Sequence, residues 1–556
     1  MISAIHKLLE KATQKAGIEN PVVKLEHPED ITHGDFSSNV AMIYAKALGI
    51  PPRSLADKIA EECRKNKSEN IENITVAGPG FINFKVKDQY FAKEILKISK
   101  NPENFGRADT DKGKKIMVEY TDPNPFKVFH IGHLMANAIG ESLSRIVEFS
   151  GAKVIRACYQ GDVGLHVAKT VWAILKDGKY RDDITYLGEM YVMGNEKYET
   201  DAQAKEEIIE INKKIFEKSD SNVNSVYKKG RKLSLNYFDK IYKKLGTKFD
   251  EFFFESSVAE EGVKIVQEFM AKGVFEKSDG AVVFKGGVHT RVFITSEGLP
   301  TYEAKELGLT QAKFRKYKNL DESIVITANE QSEYFKVIIR AIYQIKPEIA
   351  SKTKHLSHGI LRPSTGKMSS RKGNVVAAEE LLGEFENLVM KKMEGKDFDE
   401  KEKREIINNV AIAAIKYTIL RQAIGGDIIY DPGKAVSFEG DSGPYLQYST
   451  VRASAVLEKA GKIKKVEILP EKVEILEKLL VRFPEVINRA RSEYAPHHIA
   501  TYLIELAGAF NSYYAQNQII DEENQLSAYR LALTKVFREV MKNGLWVLGI
   551  KVPGRM

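Results

Sequence analysis

A chain of 556 residues is longer than one hydrophobic core supports, so several domains are expected. Charged residues make up 29% of it, and no run of 18 or more apolar residues occurs, which excludes a membrane-spanning segment and predicts a soluble protein with no membrane partner. The net charge of +8 suits a polyanionic partner without requiring one.

The two cysteines, Cys63 and Cys158, are too few and too far apart for a disulfide framework or a cysteine-rich zinc site. No zinc is therefore expected, and no metal ligands from the protein are predicted. The opening segment, MISAIHKLLEKATQKAG, has the spacing of an amphipathic helix and lacks the uninterrupted apolar core of a signal peptide. A cytoplasmic location is expected.

The first 90 residues begin with this helix and end in NITVAGPGFINFKVKD, where apolar residues alternate around a Gly-Pro-Gly turn. This pattern predicts a small α+β domain. The segment that follows, KNPENFGRADTDKGKK at residues 100 to 115, has few apolar residues and is typical of a linker.

A strand, a helix and a second strand are predicted next, in KIMVEYT, LMANAIGESLSRIVEFSG and AKVIRACYQGD. This order indicates a right-handed parallel βαβ unit, and such sheets bind ligands at the carboxyl ends of their strands.

Residues of about 170 to 275 have helical spacing and are predicted to form a mostly helical insertion. Four later segments, GAVVFKGG, RVFITSEG, ESIVITA and HLSHGIL, are expected to add strands to the same sheet. After about residue 395 the chain is predicted to be helical almost to its end, apart from GDIIYDPGKAVSFEGDSG.

Two histidines, His130 and His133, flank Gly132 in FHIGH, where a strand-like segment turns into a helix. Free backbone N–H groups at a helix start favour phosphate, and a glycine lets a ligand approach the backbone. Two imidazoles there can donate hydrogen bonds to charge that develops on phosphorus. An isolated motif of this kind is more often only a helix cap.

A second motif, TGKMSSRKGN at residues 365 to 374, places Lys367, Arg371 and Lys372 in a serine-rich loop between glycines. A mobile cationic loop of this kind can fold over a triphosphate and neutralise the departing pyrophosphate. Taken alone, the stretch is more often a solvated basic loop.

Together, FHIGH and KMSSRKGN resemble the paired nucleotide-binding motifs of class I aminoacyl-tRNA synthetases. Further segments resemble the arginyl-tRNA synthetases in particular, so that the resemblance covers nearly the whole chain. They are HGDFSSNVAM, GPGFINF, VEYTDPNPFKVFHIGH, YQGDVG, FEGDSGPYLQYSTVRASAVL, APHHIATYLIELAGAFNSYY and NGLWVLGIKVPGRM.

The resemblance implies a multidomain protein with three parts. They are an N-terminal tRNA-binding α+β domain at residues 1–100, a Rossmann-like α/β catalytic domain of the class I synthetases at 101–400, and an all-α anticodon-binding domain at 401–556. It also implies a monomeric arginine–tRNA ligase with L-arginine, ATP with Mg²⁺, and tRNA(Arg) as partners. Arginyl-adenylate forms first, with tRNA bound, and the terminal ribose then takes the arginyl group.

An arginine pocket needs carboxylates and amide oxygens, because a guanidinium is a planar fork of donors. By the resemblance, Glu119 and Asn124 match contacts to the amino group and carboxylate of the substrate, Tyr302 matches a pocket tyrosine, and Gln331 matches a pocket glutamine. The sequence departs from the family at two further pocket positions, where Glu306 stands in place of an aspartate and Asp122 in place of a frequent serine.

By the same resemblance, the catalytic residues are His130, Gly132, His133 and Lys367, and the ATP-binding loop comprises Met368, Ser369, Ser370, Arg371 and Lys372. Because Ser370 replaces the inner lysine of the common motif, Lys367 must supply the loop's charge with Arg371 or Lys372. Which of the three carries that charge in the transition state stays open.

Contacts to tRNA are expected in two places. Phe81 and Asn83 lie two residues apart on one predicted strand, as an aromatic platform beside an amide. Tyr445, Tyr448 and Arg452 share one helical face and are suited to stack on anticodon bases. The resemblance supports both sets and adds Met556.

Three alternative functions fit the sequence less well. A cysteinyl-tRNA synthetase requires a zinc site that two cysteines do not build. A small-molecule nucleotidyltransferase also uses the HxGH motif, but it leaves the N-terminal domain and the helical tail without a role. A non-catalytic RNA-binding descendant is disfavoured by the retention of both histidines, Lys367 and the pocket carboxylates.

Overall fold

The protein is represented by a computed structural model that describes residues 1–28, 30–286, 289–364, 376–395, 397–462 and 464–556. The chain folds as two compact units. The first comprises residues 1–102, 460–481 and 516–536, and the second comprises 103–459, 482–515 and 537–556. No helix among the described residues is both long and apolar enough to cross a membrane. The three-domain division expected from the sequence stays a prediction.

The first unit contains a three-stranded antiparallel sheet with strand order β1-β3-β2 and helices packed against it. Its elements up to residue 98 are α1 (Ile2–Lys15), β1 (Phe36–Ser38), α2 (Val40–Leu48), α3 (Pro52–Lys65), β2 (Ile71–Ala77), β3 (Phe81–Val86) and α4 (Asp88–Ile98). At the turn between β2 and β3, Gly80 has a φ of +137°, and a Cβ there would lie 2.9 Å from the carbonyl oxygen of Pro52. The predicted α+β fold and its hairpin are confirmed.

The second unit is built around a five-stranded parallel sheet with strand order β11-β10-β4-β5-β6. Its elements up to residue 358 are β4 (Lys115–Glu119), α5 (Ile131–Phe149), β5 (Lys153–Gln160), α6 (Leu165–Asp177), α7 (Ile184–Thr200), α8 (Ala202–Glu217), α9 (Ser221–Leu245), β6 (Glu251–Phe254), α10 (Glu255–Met270), β7 (Glu276–Ser278), β8 (Ala281–Lys285), β9 (Thr290–Ile294), α11 (Tyr302–Lys316), β10 (Glu322–Ala328), α12 (Ser332–Ile345), α13 (Pro347–Ala350) and β11 (Thr353–His358). The βαβ prediction is confirmed, and strands β10 and β11 join the sheet as expected.

Two predicted strands of this sheet belong elsewhere. GAVVFKGG and RVFITSEG supply β8 and β9, which pair with β7 in a separate antiparallel sheet. The prediction that they extend the parallel sheet is therefore wrong. Alternating apolar residues identify a strand that is buried on one face, but they do not specify the sheet with which that strand pairs.

Residues of about 170 to 275 are mostly helical, as predicted, but a strand that belongs to the main sheet interrupts them. Helices α6 to α9 end at Leu245. The next segment, EFFF, forms β6, which pairs in parallel with β5 as the edge strand of the main sheet. A run of four apolar and charged residues is too short for periodicity to separate a strand from a helix.

The rest of the chain is mostly helical, and this prediction is confirmed. Its elements are β12 (Leu361–Pro363), α14 (Ala378–Lys392), α15 (Glu400–Leu420), β13 (Ile428–Tyr430), α16 (Pro432–Ala435), α17 (Gly443–Ala460), α18 (Ile475–Glu493), α19 (His497–Gln516) and α20 (Ser527–Val547). Part of the predicted linker is firmly packed rather than solvated. Asp111 is 4% exposed and forms an ion pair with Arg491 of α18.

Helix α5 packs unusually closely on the segment that follows β4, and this contact predicts the effect of one substitution. A Cβ at Gly140 would lie 2.1 Å from Cγ of Tyr120. Gly140→Ala should lower the free energy of unfolding by about 1 to 3 kcal/mol, despite the better helix propensity of alanine. Urea unfolding measures this change.

Gly383→Ala is the matched control, because no atom lies within 4 Å of a Cβ built at that position of α14. The control should be neutral or stabilising by up to about 1 kcal/mol. Equal losses in both variants would contradict the packing argument.

Candidate functional site

The carboxyl end of β4 leads into a strained turn at the open edge of the parallel sheet. Three non-glycine residues there have positive φ angles, namely Thr121 at 83°, Asp122 at 44° and Phe126 at 68°. Hydrogen bonds fix all three: the Asn137 amide donates to Thr121 Oγ1 at 3.0 Å, Asp122 accepts from the Tyr159 N–H at 2.7 Å, and the Phe126 N–H donates to Ser234 Oγ. Strained backbone held in this way is characteristic of ligand sites.

The FHIGH segment caps the start of α5. His130 Nδ1 accepts a hydrogen bond from the Gly132 N–H at 3.1 Å, and the His130 N–H donates to Nδ1 of His133 at 3.2 Å. The two rings stack with their centroids 3.5 Å apart. A Cβ at Gly132 would lie 3.0 Å from the His130 ring, so a side chain there would press on the imidazole.

Both imidazoles are neutral near pH 7. Burial, with a smaller contribution from Lys127, lowers the pKa of His130 to about 4, and burial beside His130 lowers the pKa of His133 well below its usual value. Because each Nδ1 accepts a hydrogen bond, we assign the proton to Nε2 in both rings. Each side chain therefore caps the helix through one nitrogen and has an N–H on the other for a ligand.

The second motif lies outside the described residues, which end at Ser364 and resume at Val376. This gap includes Lys367, Met368, Ser369, Ser370, Arg371 and Lys372. The chain on either side of it is anchored by backbone hydrogen bonds. Ser364 donates to Tyr430 at 2.7 Å, and beyond the gap Val376 accepts from Ile131 at 3.2 Å.

The anchor beyond the gap involves the first motif itself. The Ala378 N–H donates to the Phe129 carbonyl at 2.8 Å, and His130 and Ala377 form an antiparallel bridge. The backbone that leaves the second motif is therefore paired with FHIGH, although about 230 residues separate the two in the chain.

Buried carboxylates gather at the same edge of the sheet. Glu119 at the end of β4 pairs with Lys313 of α11 at 2.8 Å, and both side chains are 2% exposed. Glu255, directly after β6, pairs with Lys305 at 2.6 Å, and both are 5% exposed. Asp122 and Glu306 lie in the same electrostatic neighbourhood, as the mutual effects of these groups on their pKa values indicate.

The fold does not neutralise this negative charge fully. Burial, together with repulsion by Glu119, raises the pKa of Asp122 well above its usual value. Burial raises the pKa of Glu306 to about 7, against the attraction of Lys313 and with further repulsion from Glu119 and Glu255. A cationic group that enters this cluster would relieve the repulsion, so the arrangement selects for cations.

Glu255 was missed by the sequence analysis. The signal was present, since a glutamate directly follows an apolar strand in EFFFES, at the edge where the other carboxylates lie. It was not recognised because the segment was assigned to the helical insertion. Another missed feature is Gly161, where a Cβ would lie 2.3 Å from Oδ1 of Asn124 and 3.1 Å from Oε1 of Glu255. Gly161 therefore lets these two side chains approach the chain after β5.

Two of the predicted arginine contacts, Tyr302 and Gln331, are exposed. Tyr302 is the first residue of α11 and is 59% exposed, whereas Glu306, one turn later, is 5% exposed. The ammonium of Lys305 lies 4.7 Å from the centre of the Tyr302 ring. Gln331 is exposed on the 3-10 turn Asn329–Gln331 that follows β10.

The predicted tRNA contacts of the first unit lie on β3. Phe81 is 38% exposed, as a stacking platform requires. Asn83 is buried, and its amide oxygen accepts a hydrogen bond from Ser37 Oγ at 2.7 Å. Its amide N–H₂ group is the part that a base would have to contact.

In the second unit, α17 brings Tyr445, Tyr448 and Arg452 together. The Arg452 guanidinium lies 4.8 Å from the Tyr448 ring centre and donates to Asn511 Oδ1 at 2.7 Å. The same Asn511 donates to the Tyr445 hydroxyl at 2.8 Å. Asn511 of α19 was missed, and its position in FNSYY gave no signal that it faces α17. Met556, at the end of the chain, is partly buried.

Three family models match the chain in succession. They are the arginyl tRNA synthetase N terminal domain at residues 3–86, the catalytic domain of tRNA synthetases class I (R) at 95–431, and the DALR anticodon binding domain at 446–556.

Among curated proteins, the arginine–tRNA ligase of Clostridium acetobutylicum is 31% identical over 546 residues and covers 96% of both chains. That of Flavobacterium psychrophilum is 29% identical and covers 100% of this chain and 98% of its own. Among solved structures, the arginyl-tRNA synthetase of Thermus thermophilus superposes with a TM-score of 0.83 at 23% identity, over 100% of both chains. That of Plasmodium falciparum gives 0.80 at 18%, over 100% of this chain and 99% of its own. The fold is therefore shared with both structures.

The raised pKa of Glu306 predicts how the affinity for arginine depends on pH. Below about pH 7 the carboxyl is protonated and must lose its proton before it pairs with a guanidinium. Arginine should therefore bind about tenfold more weakly at pH 6 than at pH 8, as measured by titration calorimetry. Neither His130 nor His133 titrates in this range.

The control is Glu306→Gln, which should weaken binding at pH 8 and remove most of the dependence on pH. An affinity that stays constant between pH 6 and 8 in the unaltered protein would contradict this assignment.

Proposed function

The chain belongs to the arginyl-tRNA synthetases, the class I tRNA synthetases that ligate arginine to tRNA, and from this membership we propose which of its residues perform each step. The enzyme uses ATP to activate arginine and transfers the product to tRNA. We propose that L-arginine first attacks ATP to give arginyl-adenylate and pyrophosphate, and that the 3′-terminal ribose of tRNA(Arg) then accepts the arginyl group.

One observation carries the assignment of residues. The backbone that leaves the second motif is hydrogen-bonded to FHIGH, and FHIGH begins the helix that follows the strand bearing Glu119. These contacts support the proposal that phosphate-binding imidazoles, a cationic loop and a buried acidic pocket act together at the carboxyl ends of the parallel strands. Adenylation needs these three properties together, because it joins a cationic amino acid to a polyanion.

The acidic pocket holds arginine in this proposal. Glu306 and Glu255 receive the guanidinium, with Tyr302 and Gln331 at the rim, and Glu119, Asp122 and Asn124 receive the α-amino and carboxylate end. Lys313 and Lys305 neutralise part of the buried charge and fix the two carboxylates that they contact. The pocket can then bind the cationic side chain of arginine in addition to these two lysines.

The helix start holds the α-phosphate. His130 and His133 donate their Nε2–H groups to the phosphoryl oxygens as charge builds up on them, while Nδ1 of each ring stays fixed by the backbone. Lys367, together with Arg371 or Lys372, neutralises the departing pyrophosphate. Gly132 keeps the approach to the helix start open.

Mg²⁺ would add charge neutralisation on the phosphates. Within the described ranges, no group of three or more histidine, cysteine, aspartate or glutamate side chains is arranged to hold a metal ion. We propose that Mg²⁺ accompanies ATP and would supply this neutralisation at the phosphates.

For tRNA, we propose Phe81 and Asn83 in the first unit, and Tyr445, Tyr448 and Arg452 in the second, with Met556 beside the latter. The stacked Tyr448 and Arg452 and the exposed Phe81 offer flat surfaces to bases. A monomeric state and a cytoplasmic location complete the proposal.

The assay that tests the function measures AMP formation from labelled ATP with each amino acid in turn, with and without total tRNA. AMP formation that depends on both arginine and tRNA supports the proposal. Turnover with another amino acid, or none at all, would overturn it, and the latter would favour a non-catalytic RNA-binding role.

The cationic loop predicts one kinetic effect. Lys367→Ala should lower arginine-dependent exchange of pyrophosphate into ATP by about a hundredfold or more, because a transition-state contact is lost. Lys391→Ala removes an exposed lysine of the neighbouring α14 and should leave the rate nearly unchanged. A near-normal rate in the Lys367 variant would remove the loop from the mechanism.

The proposed role of His133 predicts that its loss lowers the rate of adenylate formation without weakening the binding of tRNA. His133→Ala should reduce adenylate formation by about a hundredfold, while the Kd for tRNA changes little. His133→Asn tests the contribution of the cap, because an amide can still accept the hydrogen bond from the His130 N–H. If the asparagine variant restores thermal stability but not the rate, the loss lies in the chemistry. Full activity in both variants would contradict the role of His133.

A further inference from the structure

One face of α9 is attached to both sides of the proposed arginine pocket. Helix α9 belongs to the helical insertion, and no step of the proposed function uses it. Four of its residues recur at intervals of three or four positions and therefore share one side of the helix. We call this set the α9 face, and its members are Tyr227, Gly230, Arg231 and Ser234.

The α9 face first contacts the strained turn after β4, which includes Asn124. Ser234 Oγ accepts a hydrogen bond from the Phe126 N–H at 2.9 Å and donates to the Gly230 carbonyl at 2.9 Å. The Phe126 ring is fully buried, and a Cβ at Gly230 would lie 2.2 Å from its Cε1. Because Phe126 has a φ of +68°, the turn keeps this conformation only while its surroundings hold it in place.

The second contact of the α9 face is with Asp162, which follows β5 and is fully buried. Its carboxylate accepts hydrogen bonds from Arg231 Nε at 2.8 Å and from the Tyr227 hydroxyl at 3.3 Å. The same carboxylate accepts two more from Ser256, one from the backbone N–H at 2.9 Å and one from Oγ at 2.8 Å. Since Ser256 directly follows Glu255, Asp162 connects the start of α10 to α9.

The two sides that α9 joins approach each other at Gly161. A Cβ at Gly161 would lie 2.3 Å from Oδ1 of Asn124 and 3.1 Å from Oε1 of Glu255. In the proposed function, Asn124 contacts the amino and carboxylate end of arginine, and Glu255 contacts its guanidinium. The relative position of these two side chains must therefore match the length of the substrate, and α9 is attached to the segments that carry both.

We propose that the α9 face sets the length of the side chain that the arginine pocket accepts, with Ser234 and Arg231 as its two positioning residues. This inference rests on the proposed function, because it concerns the specificity of the same pocket. A fixed separation admits a guanidinium on three methylene groups and disfavours homoarginine, which has four. One methylene changes binding by about 10- to 200-fold where the walls of a pocket do not yield.

The experiment measures the Kd of the whole enzyme for arginine and for homoarginine by titration calorimetry. The unaltered enzyme should prefer arginine by about tenfold or more. Ser234→Ala releases the turn from α9, and Arg231→Lys loosens the link to Asp162 while it keeps the positive charge. Each variant should lower the preference for arginine by about fivefold, because the two sides of the pocket can then move apart.

Ser225→Ala is the matched control, because Ser225 is exposed on the same helix. It should leave both Kd values within about twofold of those of the unaltered enzyme. Thermal melts establish which variants fold, and Tyr227→Phe provides a milder change on the Asp162 side. A role in stability alone would weaken the binding of both ligands equally, so the ratio of the two Kd values separates positioning from a purely structural effect.

Several outcomes would overturn this inference. They are a preference that stays unchanged or rises in the variants, the same decrease in the control, or an unaltered enzyme that binds arginine and homoarginine equally well. Failure of the proposed function is recognised separately, because the unaltered enzyme would then form no AMP in response to arginine and tRNA.

Discussion

One electrostatic constraint shapes this protein. At the carboxyl ends of its parallel strands, the number of buried carboxylates exceeds the number of lysines that pair with them. Four carboxylates, those of Glu119, Asp122, Glu255 and Glu306, lie there with the ammonium groups of Lys305 and Lys313. Buried charge of one sign is costly, and the raised pKa values of three of these carboxyls record that cost. In the proposed function, the guanidinium of arginine offsets this cost, so that the buried carboxylates favour a cationic substrate.

In the proposed mechanism, the start of α5, which binds phosphate, meets the opposite requirement. It must stabilise negative charge without placing a permanent cation against the acidic pocket. Burial keeps His130 and His133 neutral, and the backbone holds one nitrogen of each ring, so that the other presents an N–H donor. The proposed mechanism leaves full positive charge to Lys367 and its neighbours, and Ala378, beyond that motif, is hydrogen-bonded to Phe129 of FHIGH. Each histidine caps the helix through Nδ1, and the proposed mechanism uses Nε2 for the ligand. The structural and the functional interpretation of these histidines are therefore compatible.

Sequence reasoning succeeded where a signal is local. The strand before FHIGH, the helix after it and the next strand follow from the periodicity of apolar residues, and the structure has all three. It failed where the structure depends on which strand pairs with which. The strands in GAVVFKGG and RVFITSEG exist, but they pair with each other and with β7 rather than with the main sheet. Glu255 was missed for the same reason, because only the pairing of β6 with β5 places it beside the other carboxylates.

The sequence by itself determined the chemistry that this protein has available: two histidines at a helix start, a distant cationic loop, and acidic residues at the ends of strands. Its resemblance to a family also indicated that these belong to one enzyme. Only the tertiary structure decided which carboxylates lie close together and which lysines compensate them. The physical reason is that charge interactions depend on distance and burial, and the residues concerned are up to about 190 positions apart in the chain.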